Sequence, residues 1–335
     1  MGAIPLSYMK KRIVYSLFFF LLSYSSFSQQ IPAVEENIPY LVTFGKGADK
    51  SWGDDDFSQT FFFVIPKFQV KPFYIRIFDP ETSGTNDEKK TDYNTKTKFT
   101  VYGGKTCYTA KDVRNNNPVG NYRSGNLIYT KTFGGEDIYD EEWYTFGPFN
   151  PSEGEWVPEQ NGYIFKIICE GITGDDGNLY RYFLSASPIE NKPVEGSNAF
   201  TFEYTFRLSD NQNNIAHIYP FIEENVISIS VSNFDFDNDG NINIISMAKK
   251  GELSTSSGDN IWATSNHKVV EKEKKTTLDV QFLKSKKALI KNNNVSLYVL
   301  NQYGNALPIF TVPIGGSPGQ NYKIQFDKKK KTTTY

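Results

Sequence analysis

The stretch FYIRIF, Phe73–Phe78, decides how the rest of the chain is read. Phe73, Ile75 and Ile77 fall on one side of an extended strand, and Tyr74, Arg76 and Phe78 on the other. That period of two marks a β-strand. Similar short runs recur at Thr60–Ile65, Phe99–Tyr102, Tyr163–Cys169 and Leu179–Ser185. A second series follows: Phe200–Leu208, Ile215–Phe221, Val226–Val231, Ile242–Met247, Thr276–Leu283, Val295–Leu300 and Phe310–Val312. Clusters of Gly, Asn, Asp and Pro separate these runs, and no dozen-residue window carries a 3.6-residue period. With 27 Phe and 21 Tyr the composition suits pleated surfaces, and helix is minor.

The fold class is therefore all-β. Between the two series, Ser187–Ser197 (SPIENKPVEGS) sets two prolines and a glycine among charged residues and reads as a linker. The expectation is two antiparallel β-sandwiches of jelly-roll or Ig-like type, at residues 30–190 and 195–327. A basic tail at 328–335 follows. Asp79–Lys98 and Lys111–Gly125 are polar stretches that read as long solvated loops at a sandwich end, where binding residues are commonly displayed.

Residues 1–28 read as a cleaved signal peptide. Lys10, Lys11 and Arg12 precede the apolar run Ile13–Leu22, and Ser26-Phe27-Ser28 supplies small residues for cleavage. The run is about ten residues, short of the roughly 20 that span a bilayer. The expected location is extracellular or at the cell surface, with the periplasm as an alternative, and the mature form has no membrane span. Removing the leader leaves 33 basic against 38 acidic residues, a net charge of −5. That balance argues against nucleic acid and is compatible with cations, glycans or another surface protein. Cys107 and Cys169 could pair in an oxidising compartment or pack as buried thiols.

The strongest local motif is Asp235-Phe236-Asp237-Asn238-Asp239-Gly240-Asn241-Ile242. Alternating carboxylates closed by a glycine can offer hard oxygen ligands to Ca²⁺. The motif resembles the first eight positions of an EF-hand-like or dockerin-like calcium loop. That resemblance implies side-chain ligands at Asp235, Asp237 and Asp239 and a backbone carbonyl from Asn241. Ser246 stands where such a loop has its bidentate acid. The competing reading is a β-hairpin turning at Asp239-Gly240. Gly174-Asp175-Asp176-Gly177-Asn178 reads as a second hairpin turn, and Asp54-Asp55-Asp56 is a third acidic cluster. The Phe73–Tyr102 region is similar to β-sandwich modules of secreted bacterial proteins.

Catalytic signatures are sparse. His217 lies in an apolar strand and reads as packed, and His267 lies in a polar run and reads as exposed. No HExxH occurs. Trp156, Trp143, Trp52 and Trp262 are candidate platforms for a sugar face. Trp156 stands out because it lies in a Gly/Glu/Pro loop. The main expectation is a secreted, non-enzymatic binding or surface-assembly protein, calcium-stabilised and glycan-binding. The alternative is a secreted glycoside hydrolase using a carboxylate pair, with Glu141-Glu142-Trp143 and Glu153-Gly154-Glu155-Trp156 placing acids beside indoles.

Overall fold

A computed structural model describes residues 29–111, 113–114, 123–285 and 293–315. The leader, the Asn115–Pro118 run and the basic tail lie outside them. Among the described residues the fold is two large antiparallel sheets, and helix is limited to short 3-10 turns. The first sheet has eight strands. From edge to edge they are β16 (Trp262–Lys268), β13 (Ser228–Phe234), β18 (Asn294–Asn301), β11 (Glu203–Arg207), β1 (Tyr40–Phe44), β9 (Gly177–Ser185), β3 (Phe73–Phe78) and β6 (Trp143–Phe149). The second has eleven. They run β15 (Lys250–Ser254), β14 (Gly240–Ile245), β17 (Asp279–Lys284), β12 (Ala216–Pro220), β19 (Ile309–Phe310), β10 (Asn198–Thr201), β2 (Ser58–Pro66), β8 (Gly162–Thr173), β4 (Lys96–Gly103) and β5 (Asn126–Phe133). β7 (Glu155–Val157) pairs with β8 beside this path.

Strands from before and after Ser187–Ser197 occur in both sheets. β1 pairs with β11, and β2 pairs with β10, so each sheet runs on across that stretch. The alternation in FYIRIF is realised: Phe73, Ile75 and Ile77 are buried in the main core. β2 explains itself differently. Phe61, Phe63 and Ile65 face the main core, while Phe62 and Val64 join a smaller cluster with Phe200, Phe202 and Phe310. A strand buried on both faces needs an unbroken apolar run, which is what FFFVI supplies. Ring contacts tie the layers together, among them Phe99 edge-on to Tyr180 at 5.3 Å and Phe61 to Tyr204 at 5.7 Å. Such pairs contribute about 0.5–1.5 kcal/mol beyond burial.

Several expectations are corrected. Phe200–Leu208 is not one strand: β10 and β11 belong to different sheets, and the chain crosses between them at the buried Phe202. Neither Asp-Gly pair closes a hairpin. β8 and β9, flanking Gly174–Asn178, lie in opposite sheets, as do β13 and β14, flanking Asp235–Asp239. In the first arch the buried Asp176 carboxylate accepts from the amides of Lys90, Asn94 and Thr95 at 3.1, 2.8 and 3.3 Å, which fixes the crossing. In the second, Asp235, Asp237 and Asn238 take left-handed backbone angles. Gly240 is required for another reason: a Cβ there would stand 1.9 Å from the carbonyl oxygen of Leu283 on β17.

The 79–95 stretch is only in part solvated: Gly84, Thr85, Lys89, Lys90, Thr91, Asp92 and Asn94 are exposed. Asp79, Glu81, Thr82, Asp87 and Thr95 are all buried, held by bonds such as Leu179 N–H to Asp87 Oδ1 at 2.6 Å. His267 is buried rather than exposed, because its ring joins the edges of the two sheets. Nε2 contacts Ser254 Oγ on β15 at 2.9 Å, and Nδ1 contacts Glu252 Oε1 at 2.8 Å. Cys107 and Cys169 are buried free thiols, each with its pKa pushed up to about 12 by burial. Among the described residues no helix is long and apolar enough to cross a membrane.

Candidate functional site

The arch between β13 and β14 is built around Phe236. Its ring is buried against Phe282 at 5.2 Å, and its amide donates to Ser257 Oγ at 2.8 Å. With Phe236 anchored, the left-handed backbone at Asp235 and Asp237 leaves the first of these acids buried and the second exposed. Asp235, Asp237 and Asp259 each bring one carboxylate oxygen within 4.8 Å of the others. Asp259 comes from the loop between β15 and β16, stitched to the arch by Asn238 N–H to Ser257 O at 2.8 Å. Its only mark in the sequence is the turn-forming Ser257-Gly258-Asp259-Asn260, far from the acidic motif.

The three acids differ in environment. Asp235 is only 3% exposed and accepts the amide of Asn260 at 2.6 Å, while Asp237 and Asp259 are exposed. Burial, followed by repulsion from Asp237 and Asp259, pushes Asp235 up to about 7 despite that bond. Asp237 is raised too, by burial and then by Asp239 and Asp259. The set therefore holds a buried carboxyl with a raised pKa beside two exposed acids. Trp262 borders this region, since it pairs with Phe234 across β13–β16. It packs between Phe234 and Tyr298 and donates Nε1–H to Asp55 Oδ2 at 2.9 Å.

Asp239 and Asn241 stand apart from the three-carboxylate set. Asp239 Oδ2 accepts from Asn293 Nδ2 at 2.6 Å, and Asn241 is exposed within β14. The four tryptophans are scattered. Trp52 lies edge-on to Phe44 with Lys90 above it. Trp156 is 39% exposed under Lys67, but it belongs to the short strand β7 rather than to a loop. Its neighbour Glu155 is an anchor: its carboxylate accepts the Thr109 hydroxyl and the amides of Tyr108, Thr109 and Thr106, and these bonds hold its pKa low against burial.

Trp143 opens onto a cavity of about 460 Å³, beneath the 3-10 turn Val34–Glu36. Tyr40, Arg181, Tyr182, Tyr204 and Glu36 also line it. Glu36 is buried with its pKa raised by burial, and Tyr204 donates to it at 3.2 Å. The Ser254–His267–Glu252 chain has the order of a hydrolase triad, but Ser254 is buried inside β15, so the chain fastens sheet edges. His217 is half-buried, with Nδ1 2.9 Å from Asp279 Oδ1. No family model matches this chain, and no curated protein matches it either.

Proposed function

We propose that the protein is an exported hydrolase of glycosidic bonds, with Asp235, Asp237 and Asp259 as its working carboxylates. One observation carries this reading: a buried acid with its pKa near 7 stands within 4.8 Å of exposed carboxylates. Pairs of acids whose environments separate their protonation are the working parts of glycoside hydrolysis. The separation lies nearer the roughly 5–5.5 Å of retaining enzymes than the wider gap of inverting ones. Asp235 protonates the glycosidic oxygen as it leaves, and one exposed carboxylate attacks the anomeric carbon to form a glycosyl ester. Water then displaces that ester while Asp235 takes the proton. Trp262 supplies the aromatic neighbour, and the signal-like leader supports an extracellular or cell-surface place of work. The paired sheets suit a jelly-roll-type scaffold.

A second reading, a calcium-stabilised glycan-binding or surface-assembly protein, is favoured by the cavity under Glu36, whose Trp143, Tyr40 and Arg181 suit a sugar ring. Both readings are tested on a panel of aryl glycosides with and without Ca²⁺. Hydrolysis with retained anomeric configuration, lost on Asp235→Asn and inhibited by Ca²⁺, supports the enzyme. No hydrolysis, a Ca²⁺-dependent rise in melting temperature abolished by Asp237→Asn, and glycan capture lost on Trp143→Ala support the binder.

A further inference from the structure

A second acidic set lies around the 79–98 stretch, whose sequence reads as solvent-exposed. β3 pairs with β6, with Phe78 opposite Trp143, so the chain leaving β3 runs beside the chain entering β6. That brings Asp79, one residue past β3, next to the 140–142 segment. The amide of Asp79 donates to Glu142 O at 2.9 Å, and the amide of Glu141 donates to Asp79 Oδ1 at 3.0 Å. Glu81 follows two residues later. One carboxylate oxygen from each of Asp79, Glu81 and Asp140 lies within 4.8 Å of the other two.

Proximity of acids alone means little. The independent observation is what their oxygens lack. Glu81 is 0% exposed; its Oε1 accepts the Ser83 hydroxyl at 2.9 Å, and its Oε2, buried, has no partner. Asp140 Oδ1 is also buried without a partner. Thr82 Oγ1 is another such atom, as is Oδ1 of Asn178, whose amide nitrogen donates to Pro80 O at 2.8 Å. Among the described residues, no Lys or Arg forms an ion pair with any of the three acids. The groups facing Glu81 are instead acidic, Asp79, Asp140 and Glu136. A buried carboxylate oxygen with neither donor nor counter-charge is costly.

We infer that Asp79, Glu81 and Asp140 form a binding site for one divalent cation of the Ca²⁺ class. Oxygens sharing one Ca²⁺ at about 2.3–2.6 Å can stand no more than about 5 Å apart, and this set meets that limit. An ion there satisfies the orphaned oxygens and clamps the 79–87 loop to the approach to β6. Gly84 is part of the cradle: a Cβ on it would stand 2.1 Å from Asp140 Oδ1. The residues are distinct from the Asp235 set, so this site and the proposed hydrolase stand or fall separately.

The test is calorimetric titration of Ca²⁺ into chelator-treated protein at pH 7.5. The unaltered protein, Glu81→Gln, Asp140→Asn and Asp237→Asn are compared. The expected result is one equivalent of Ca²⁺ retained in Asp237→Asn. Glu81→Gln and Asp140→Asn should each weaken that equivalent at least tenfold, the second variant serving if the first fails to fold. If the unaltered protein binds no Ca²⁺, or if binding disappears in Asp237→Asn while both cradle variants keep it, the inference is overturned.

Discussion

The two acidic sets are chemically alike and physically opposite. Asp79 and Glu81 are buried and Asp140, from the segment before β6, is half-buried, with Glu81 and Asp140 carrying buried oxygens that no donor satisfies. Asp235 and Asp237 sit on the β13–β14 arch and Asp259 on the adjoining β15–β16 loop, with only Asp235 buried and its Oδ1 already accepting a backbone amide. Burial without partners calls for an ion. A single buried acid facing open carboxylates gives a proton donor beside potential nucleophiles. On the proposed reading, the same residue type would serve a structural role in one place and a chemical one in the other, according to how much water its neighbours admit.

The arch rests on one ring, which gives the sharpest way to break this contrast. Phe236→Ala should cost about 3–5 kcal/mol in chemical denaturation and abolish any activity of the Asp235 set, while leaving Ca²⁺ binding at Glu81 intact in the folded fraction. The buried set should respond to its own cradle. Gly84→Ala puts a Cβ against Asp140 at a positive φ and should cost about 1–3 kcal/mol. It should also weaken Ca²⁺ binding without changing turnover at the arch.

These two regions also mark where the sequence was legible. The strands β2, β3, β4 and β8 could be read locally because their side chains alternate or run unbroken into cores that any sheet would offer them. Asp239-Gly240 and Asp176-Gly177 misled, because an Asp-Gly pair signals a turn without saying which sheet the chain enters next. That choice depends on distant partners: Lys90, Asn94 and Thr95 for Asp176, and the Leu283 carbonyl for Gly240. The 79–95 loop was unreadable for the same reason. Its composition says solvent, and distant contacts, with Gly134, Leu179, Glu142 and Asp176 among them, bury Asp79, Thr82, Asp87 and Thr95. Asp235 and Asp237 were found from their spacing. Asp259 joins them through folding alone.

A pH series sharpens the comparison with a smaller effect. Burial, offset in part by the Ser83 hydroxyl and reinforced by Asp79, Asp140 and Glu136, pushes Glu81 up to about 7 from an ordinary value near 4.5. The folded, metal-free protein then binds a proton more tightly than the unfolded chain. Its contribution to stability is full below about pH 4.5 and is lost as pH rises through about 7. Chelated protein should melt at a lower temperature at pH 8 than at pH 5, and Glu81→Gln should flatten that slope. Added Ca²⁺ should raise the melting temperature more at pH 8, where the carboxylate is free to ligate. The smallest stability effect belongs to the exposed side. Asp237→Asn should shift unfolding by no more than about 0.5 kcal/mol, although it alters the working set.

The division of labour is tested most directly by anomalous scattering from crystals grown with Ca²⁺ or a lanthanide substitute. One strong peak is expected about 2.3–2.6 Å from oxygens of Asp79, Glu81 and Asp140, with higher occupancy than any peak at Asp235. A peak at the Asp235 set alone, with the oxygens around Glu81 still bare, would contradict it.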